Sequence, residues 1–417
     1  MPTQTLSLDI AFENFVADFA EVFSIPQLAH FRAYLLGLLL YVGTHWLSRL
    51  HESVGHTRDY TTFTRFVSEA PWSSQELEVE WRGYLNRHAR RVLASLRRRA
   101  KGKEVPVYLL IDDTLNPKRG KQMAWVGRHY SHSEKQVISG HCLVSAMLVI
   151  GDLVLPWAFA LYKKKIDCLE VGVPFYSKLD LAAEIVRQYQ PLPETKIYVL
   201  MDRWYTSNRF LKTIVQERGF EALFALKSNR KLYYDGHKAQ AKVYAAALRE
   251  SQFDAETIGT RTYNLHSLEA KLSSGTTGKV VVSRSWYGQK ETTFFLFCTD
   301  RSMTTRQIVE TYRTRWKIET FYRNAKQLLG LSDYQLLHEE AILRHWLFVF
   351  IAYSFLEVQR FDRYQALLAV DPMADQPTLG EVKREYGKLA QRLFIKSIFS
   401  LGQQGLDLQA IYKRFAL

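Results

Sequence analysis

Apolar residues near the start of the chain recur every three or four positions, which is the spacing of one face of an α-helix. The pattern covers residues 31–50 and returns over residues 77–96. We therefore predict a helical domain over residues 1–103. The end of this domain is strongly basic, because nine Arg or Lys residues and no acid lie between positions 82 and 103.

A strand-like pattern begins at residue 105, where Val105, Val107, Leu109 and Ile111 alternate with other residues. Similar short apolar runs predict four more strands, at 139–150, 153–161, 196–201 and 222–226. A helix is predicted at 176–190, and another is predicted to start near Ser207. This alternation of strands and helices predicts an α/β domain with a mixed sheet.

Residues 255–300 differ again, since Thr, Val, Ser and aromatic residues dominate them, and they are predicted to form a β-rich insertion. A long helix is predicted at 305–329, and the rest of the chain is predicted to be helical apart from a loop at 371–377. The predicted organisation therefore has five segments: 1–103 (helical), 104–254 (α/β domain, first part), 255–300 (insertion), 301–370 (α/β domain, second part) and 371–417 (helical).

The charge of the chain indicates the class of its binding partner. The formal net charge is +14 at pH 7, which favours a polyanion, nucleic acid first and an anionic membrane second. The two most apolar stretches, 34–42 and 346–356, are shorter than the roughly 20 residues that span a bilayer. No secretion signal is visible, and Cys142, Cys168 and Cys298 have no metal-ligand spacing. We expect a cytoplasmic protein that binds nucleic acid and no membrane.

Three acidic residues stand out by position. Asp113 and Asp202 are each predicted to close a strand, which is where open α/β sheets place ligands and metals. Alone, each aspartate could equally serve a turn or a helix cap. Glu319 lies on the predicted long helix, and a solvated ion pair would be the simplest role for it. Steps of three and four place further side chains on its helix face: Tyr312, Arg315, Tyr322 and Lys326.

Together these residues resemble the motifs of bacterial insertion-sequence transposases of the DDE type with a Tyr-Arg-Glu-Lys signature. The resemblance covers residues 105–337 and implies a ribonuclease H-like catalytic fold, interrupted by a β-rich insertion between the second aspartate and the glutamate. It also implies that Asp113, Asp202 and Glu319 are the catalytic residues. The matching motifs are Tyr312-x2-Arg315-x3-Glu319-x6-Lys326, Ile111-Asp112-Asp113-Thr114 and Met201-Asp202-Arg203-Trp204-Tyr205.

The resemblance implies a cofactor and partners as well. The three carboxylates would hold two Mg²⁺ ions, which Mn²⁺ could replace, because such a pair neutralises the attacking and leaving oxygens of a phosphodiester. The partners would be double-stranded DNA, as inverted-repeat ends and target, and a second copy of the chain assembled on that DNA in the bacterial nucleoid. The candidate DNA-contacting residues are Tyr312, Arg315, Lys326, Lys227, Arg230, Trp286, Lys118, Arg119, Arg97, Arg98 and Arg99.

Two other functions share these motifs. One is a ribonuclease H-like nuclease that hydrolyses without strand transfer, and the other is a captured DNA-binding protein that no longer catalyses. The basic N-terminal region and the predicted insertion favour a transposase over the first. The presence of all three acids argues against the second. A glycosidase with paired carboxylates is disfavoured, because its reaction does not require a protein with a net charge of +14.

Two adjacent aspartates, Asp112 and Asp113, compete for the first catalytic position. Asp113 has the strand parity of Leu109 and Ile111, whereas Asp112 points to the opposite face. In the family, the acid lies directly before a threonine, which is Thr114 here. Both considerations select Asp113.

Trp286 gives the first testable prediction. Related transposases often cut the second strand through a DNA hairpin, and their insertion often carries a tryptophan on which an extruded base stacks. Packing of the insertion's own core is an equal alternative for Trp286. If the stacking role holds, Trp286→Ala should nick the first strand normally and form hairpins roughly 5- to 100-fold more slowly, as expected for the loss of one base–aromatic stack. Denaturing gels resolve both products, and wild-type rates of both steps would remove this role.

Overall fold

The computed structural model describes residues 8–54, 59–101, 103–120, 122–131, 134–287 and 290–410, without the side chains of 286, 287, 290 and 291. The described chain forms two compact units. Unit 1 comprises residues 1–92, 115–142 and 321–417, and unit 2 comprises residues 93–114 and 143–320.

The helices and strands of the described residues are, in chain order, α1 (Ile10–Ala17), α2 (Ile25–Leu40), α3 (Leu47–Ser53), α4 (Tyr60–Ser68), α5 (Ser74–Ala100), β1 (Val105–Pro117), β2 (Gly127–Ser131), β3 (Gln136–Ile150), β4 (Leu153–Tyr162), α6 (Lys165–Val171), α7 (Lys178–Gln188), β5 (Thr195–Met201), α8 (Asn208–Lys212), β6 (Glu221–Ala225), β7 (Lys231–Tyr234), β8 (His237–Gln240), α9 (Ala241–Ala247), β9 (Asp254–Ile258), β10 (Arg261–Leu272), β11 (Thr277–Tyr287), β12 (Lys290–Cys298), α10 (Thr305–Arg313), α11 (Trp316–Leu329), α12 (Glu339–Val370) and α13 (Leu379–Gln403).

Helix α12 is the centre of unit 1. It packs against α2, α4 and α13, and most of its residues between Ala341 and Phe361 are buried. The buried indole of Trp81 donates to the hydroxyl of Ser354 at 3.0 Å, which ties α5 to the same helix. By length and composition α12 could cross a membrane, but 94% of its most apolar window is buried inside the protein, as in the core helix of a globular fold.

For the described residues among the first hundred, the helical prediction is confirmed by helices α1 to α5, with breaks between them. The pattern over residues 31–50 is divided between α2 and α3 by a non-helical segment at 41–46. The structure groups the N-terminal helices with residues 321–417 in unit 1, so their burial depends on the C-terminal helices. A separate DNA-binding domain at 1–103 stays a prediction.

Unit 2 contains the main sheet. Its strand order is β3-β1-β5-β6-β12-β11-β10-β7-β8, with β4 paired to β3 and β9 paired to β10. Strands β1, β5 and β6 are parallel, whereas β12 joins β6 in the antiparallel direction. In unit 1, β2 pairs with the start of β3. A mixed sheet with helices before and after it confirms the predicted α/β class and is consistent with a ribonuclease H-like fold.

Three local predictions need correction. The predicted strand that closes at Asp113 continues to Pro117, so both aspartates lie inside β1. The predicted helix at 305–329 is divided into α10 and α11, because the amide of Arg315 bonds to the carbonyl of Tyr312 and tightens the chain there. The residues at 255–300 are β-rich as predicted, but β12 extends the main sheet through its bonds to β6.

Arg344 on α12 gives a prediction about stability. Its side chain is only 7% exposed, and its guanidinium lies 3.9 Å from the ring centre of Trp72 and donates to the carbonyl oxygens of Val67 and Trp72. Arg344→Met would leave these buried carbonyls without a donor. We expect it to lower the free energy of unfolding by about 2–4 kcal/mol in urea titrations.

Arg363 on the same helix provides the matched control. It is 41% exposed and pairs with Glu385 at the surface. Because exposed ion pairs contribute little, Arg363→Met should cost less than about 1 kcal/mol. Equal losses of unfolding free energy in the two variants would show that the buried contacts of Arg344 stabilise unit 1 no more than an exposed ion pair does.

Candidate active site

The pairing of β1 with β5 brings two of the predicted acids to one end of the sheet. The strands are parallel and in register from Val105 opposite Thr195 to Ile111 opposite Met201. Asp202 directly follows β5, as predicted. Extending the register by one residue places Asp112 opposite Asp202. Side chains alternate along β1, so Asp112 and Asp113 point to opposite faces of that strand.

Arg315 connects the third predicted acid to this end of the sheet. One guanidinium nitrogen donates to Oδ2 of Asp112 at 3.0 Å, and the other donates to Oε1 of Glu319 at 2.5 Å. Its side chain is 14% exposed, and the ring of Tyr312 lies 5.9 Å from the guanidinium carbon. Arg315 therefore holds the start of α11 against β1. It lies in the break between α10, which carries Tyr312, and α11, which carries Glu319.

Asp113 has a different set of partners. The ammonium of Lys178, the first residue of α7, lies 2.6 Å from Oδ2 of Asp113, and the hydroxyl of Tyr205 donates to Oδ1 at 2.9 Å. Asp202 accepts the backbone amide of Trp204 at 2.7 Å. Each of the three predicted catalytic acids is thus engaged by at least one donor from the protein itself.

The neighbouring carboxylates affect the pKa of Asp112. The pKa of the Asp112 carboxyl is raised to about 7, chiefly by burial; Arg315 opposes this rise, and the negative charges of Asp113 and Asp202 contribute to it. The pKa of Arg315 is raised despite its burial, because Tyr312, Asp112 and Glu319 all favour the charged guanidinium. The site is therefore an acidic cluster whose charge Arg315 partly compensates.

The donor set suits a divalent metal by its chemistry. Carboxylate oxygens are the hard ligands that Mg²⁺ prefers. The negative charges of Asp113 and Asp202 act on Asp112, and a bound cation would offset this repulsion. Within the part of the chain that the structure describes, no three His, Cys, Asp or Glu side chains are already arranged to hold a metal ion. Lys178 and Arg315 each engage one carboxylate oxygen of Asp113 and Glu319, so a metal ion bound by these acids would compete with both cations.

The candidate DNA-contacting cations differ in exposure. In unit 1, Lys118 is buried and Lys326 is half-buried; Lys118 donates to the carbonyls of Ser332 and Tyr334 and Lys326 to that of Leu115, each at 2.7 Å. Burial lowers the pKa of Lys118 to about 7 and that of Lys326 to about 8. In contrast, several others have exposed side chains that a phosphate could reach: Arg98, Arg99, Arg119 and Lys227.

The remaining candidates have partners or lie outside the described side chains. Arg97 pairs with Glu194, and Arg230 donates to Asn208 at 2.6 Å. The backbone of Trp286 pairs with Glu291 in the β11–β12 hairpin, but its side chain is among those that the structure does not describe. Lys178 was not singled out from the sequence, because nothing in the local pattern distinguishes the first residue of α7 from any other lysine.

Fold and site together define a ribonuclease H-like protein with an acidic centre at the end of parallel strands. A family model described as DDE superfamily endonuclease matches residues 18–252, more than half of the chain, so the protein belongs to this family. A second model, described as transposase DDE domain, matches residues 177–355.

A curated relative of the chain is also named as a transposase. The chain is 23% identical over 243 residues to a protein of Microchaete diplosiphon named as a probable transposase for insertion sequence element IS701. The match covers 56% of this chain and 60% of that relative. The expected resemblance to insertion-sequence transposases of the DDE type is therefore confirmed.

The adjacent aspartates give the prediction for this site. Asp113→Asn removes a proposed metal ligand and should lower the rate of DNA cleavage by at least about 10³-fold. Asp112→Asn keeps an acceptor for Arg315. It should lower the cleavage rate roughly 10- to 100-fold, as is usual for a residue that orients the metal ligands without binding the metal itself. Single-turnover cleavage of a plasmid carrying the ends of the element measures both. The reverse order would assign the metal to Asp112, which faces Asp202 in the register.

Proposed function

We propose that this protein is an insertion-sequence transposase that cuts double-stranded DNA at the ends of its element and joins them to a target. The observation that carries the proposal is the convergence of carboxylates from β1, the end of β5 and α11 in unit 2, with Arg315 bonded to Asp112 and Glu319. Membership of the DDE endonuclease family supports it, and so does the net charge of +14.

In this proposal Asp113, Asp202 and Glu319 hold two Mg²⁺ ions, for which Mn²⁺ can substitute. When bound, such ions supply charge neutralisation at the attacking and leaving oxygens of the phosphodiester. Arg315, once released from Glu319, can donate two parallel bonds to a phosphate, since a guanidinium matches that geometry. The ring of Tyr312 lies beside the guanidinium, and its hydroxyl can donate a hydrogen bond to the DNA backbone.

Exposed cations would add affinity for DNA of any sequence. Arg98, Arg99, Arg119 and Lys227 are exposed and can neutralise phosphates without reading the bases. Binding of this kind releases counterions, so affinity should fall steeply with salt. We further propose that two copies of the chain assemble on paired DNA ends in the bacterial nucleoid.

The metal dependence of cleavage tests the proposal. Asp202→Ala and Glu319→Gln should each abolish cleavage and leave the affinity for DNA within about threefold of wild type, because few positive contacts are lost. Cleavage should require Mg²⁺ or Mn²⁺, and Ca²⁺ should support binding with little chemistry because its coordination geometry is looser. Glu170→Gln, an exposed acid on α6, is the matched control and should cut normally.

Product analysis separates the proposed function from its alternatives. Joining of the cut ends to a second DNA molecule identifies a transposase, whereas cleavage without joining identifies a nuclease. DNA binding without metal-dependent cutting by the wild-type protein would identify a non-catalytic binder. Normal cutting by either acid variant would contradict the assignment of the site.

A further inference from the structure

Lys178 occupies the place on Asp113 that a metal ion would need. Its ammonium lies 2.6 Å from Oδ2 of Asp113, and both side chains are only 22% exposed. A divalent ion bound to the same carboxylate would stand within a few ångströms of this ammonium and repel it. The two cations are therefore alternative partners of Asp113.

The surroundings of Lys178 offer its ammonium a second position. The nitrogen already lies 5.5 Å from the ring centre of Trp204 and 5.7 Å from that of Tyr162, within the range of cation–π attraction. The Trp204 side chain is 47% exposed, so an ammonium drawn over this ring would approach the surface. Trp204 is also fixed beside the site, because its amide is bonded to Asp202.

The backbone does not have to move for this change. Lys178 begins α7, whose start is held by the reciprocal bonds of Ser177 and Asp180. A lysine has a flexible four-carbon stem, so its ammonium can travel several ångströms from a fixed backbone. A phosphate is the anion that would receive it, since the substrate of the proposed reaction brings phosphates to these carboxylates.

We propose that Lys178 is a switch cation, which neutralises Asp113 in the DNA-free protein and moves to a phosphate of bound DNA when a divalent metal takes its place. This inference rests on the proposed function. It predicts that DNA and metal bind cooperatively, because each ligand removes the obstacle to the other. By linkage, the factor by which DNA tightens metal binding equals the factor by which metal tightens DNA binding.

The test measures Mn²⁺ binding by electron paramagnetic resonance on the full chain, with and without a short blunt-ended DNA duplex. Asp202→Ala protein and DNA alone provide the background from other Mn²⁺ sites. For wild type we expect DNA to tighten Mn²⁺ binding about tenfold, within the usual range of such couplings. Lys178→Met should bind Mn²⁺ about tenfold more tightly than wild type without DNA, and the gain from DNA should be clearly smaller than in wild type.

Two control variants sharpen the result. Lys178→Arg keeps a cation on Asp113 and should retain the coupling. Lys212→Met removes the same charge from an exposed position on α8 and should behave as wild type. Thermal melting checks that each variant is folded, and Lys178→Gln replaces the Met variant if that one is not.

The outcomes separate this inference from the proposed function. Unchanged or weaker Mn²⁺ binding by Lys178→Met without DNA, or a full gain from DNA in that variant, would overturn the switch while the metal site stands. Equal effects of Lys178→Met and Lys212→Met would reduce Lys178 to a general charge effect and also overturn it. Absence of Asp202-dependent Mn²⁺ binding in wild type, with or without DNA, would remove both the proposed site and the switch.

Discussion

Carboxylates brought close together repel one another, and the architecture of this site follows from the cations that offset that repulsion. Parallel pairing of β1 and β5 forces Asp112, Asp113 and Asp202 to one end of the sheet. Arg315 compensates one side through Asp112, and Lys178 compensates the other through Asp113. Without such cations the closeness of these acids would destabilise the folded chain.

The same ion pairs connect the neighbouring helices to the sheet. Glu319 is fixed at the start of α11 by Arg315, which itself stands at the break after α10. A continuous helix would rotate Arg315 differently relative to Asp112, so the tightened turn is part of the site. On the other side, α7 starts at the residue that pairs with Asp113. The elements around the sheet are therefore positioned by the acids as well as by apolar packing.

Much of the fold could be predicted because its signals are local. The alternation at 105–111, the short apolar runs at β3, β4, β5 and β6 and the breaks between them are properties of neighbouring residues, and all appear as strands. Boundaries that depend on distant partners were missed. The pairing of β12 with β6 joins strands far apart along the chain, and no alternation of apolar residues marks the extension of β1 to Pro117.

The sequence by itself determined the chemistry of the site: the order of Asp113, Asp202 and Glu319, the spacing of Tyr312, Arg315 and Lys326, and a charge suited to DNA. Only the tertiary structure decided which groups meet. It paired Arg315 with Asp112, 203 residues away, and Lys178 with Asp113, 65 residues away, and it bonded the half-buried Lys326 to a backbone carbonyl. Spacing along a chain fixes which side chains share a face of one element, whereas contacts between elements depend on register and packing, which no single segment encodes.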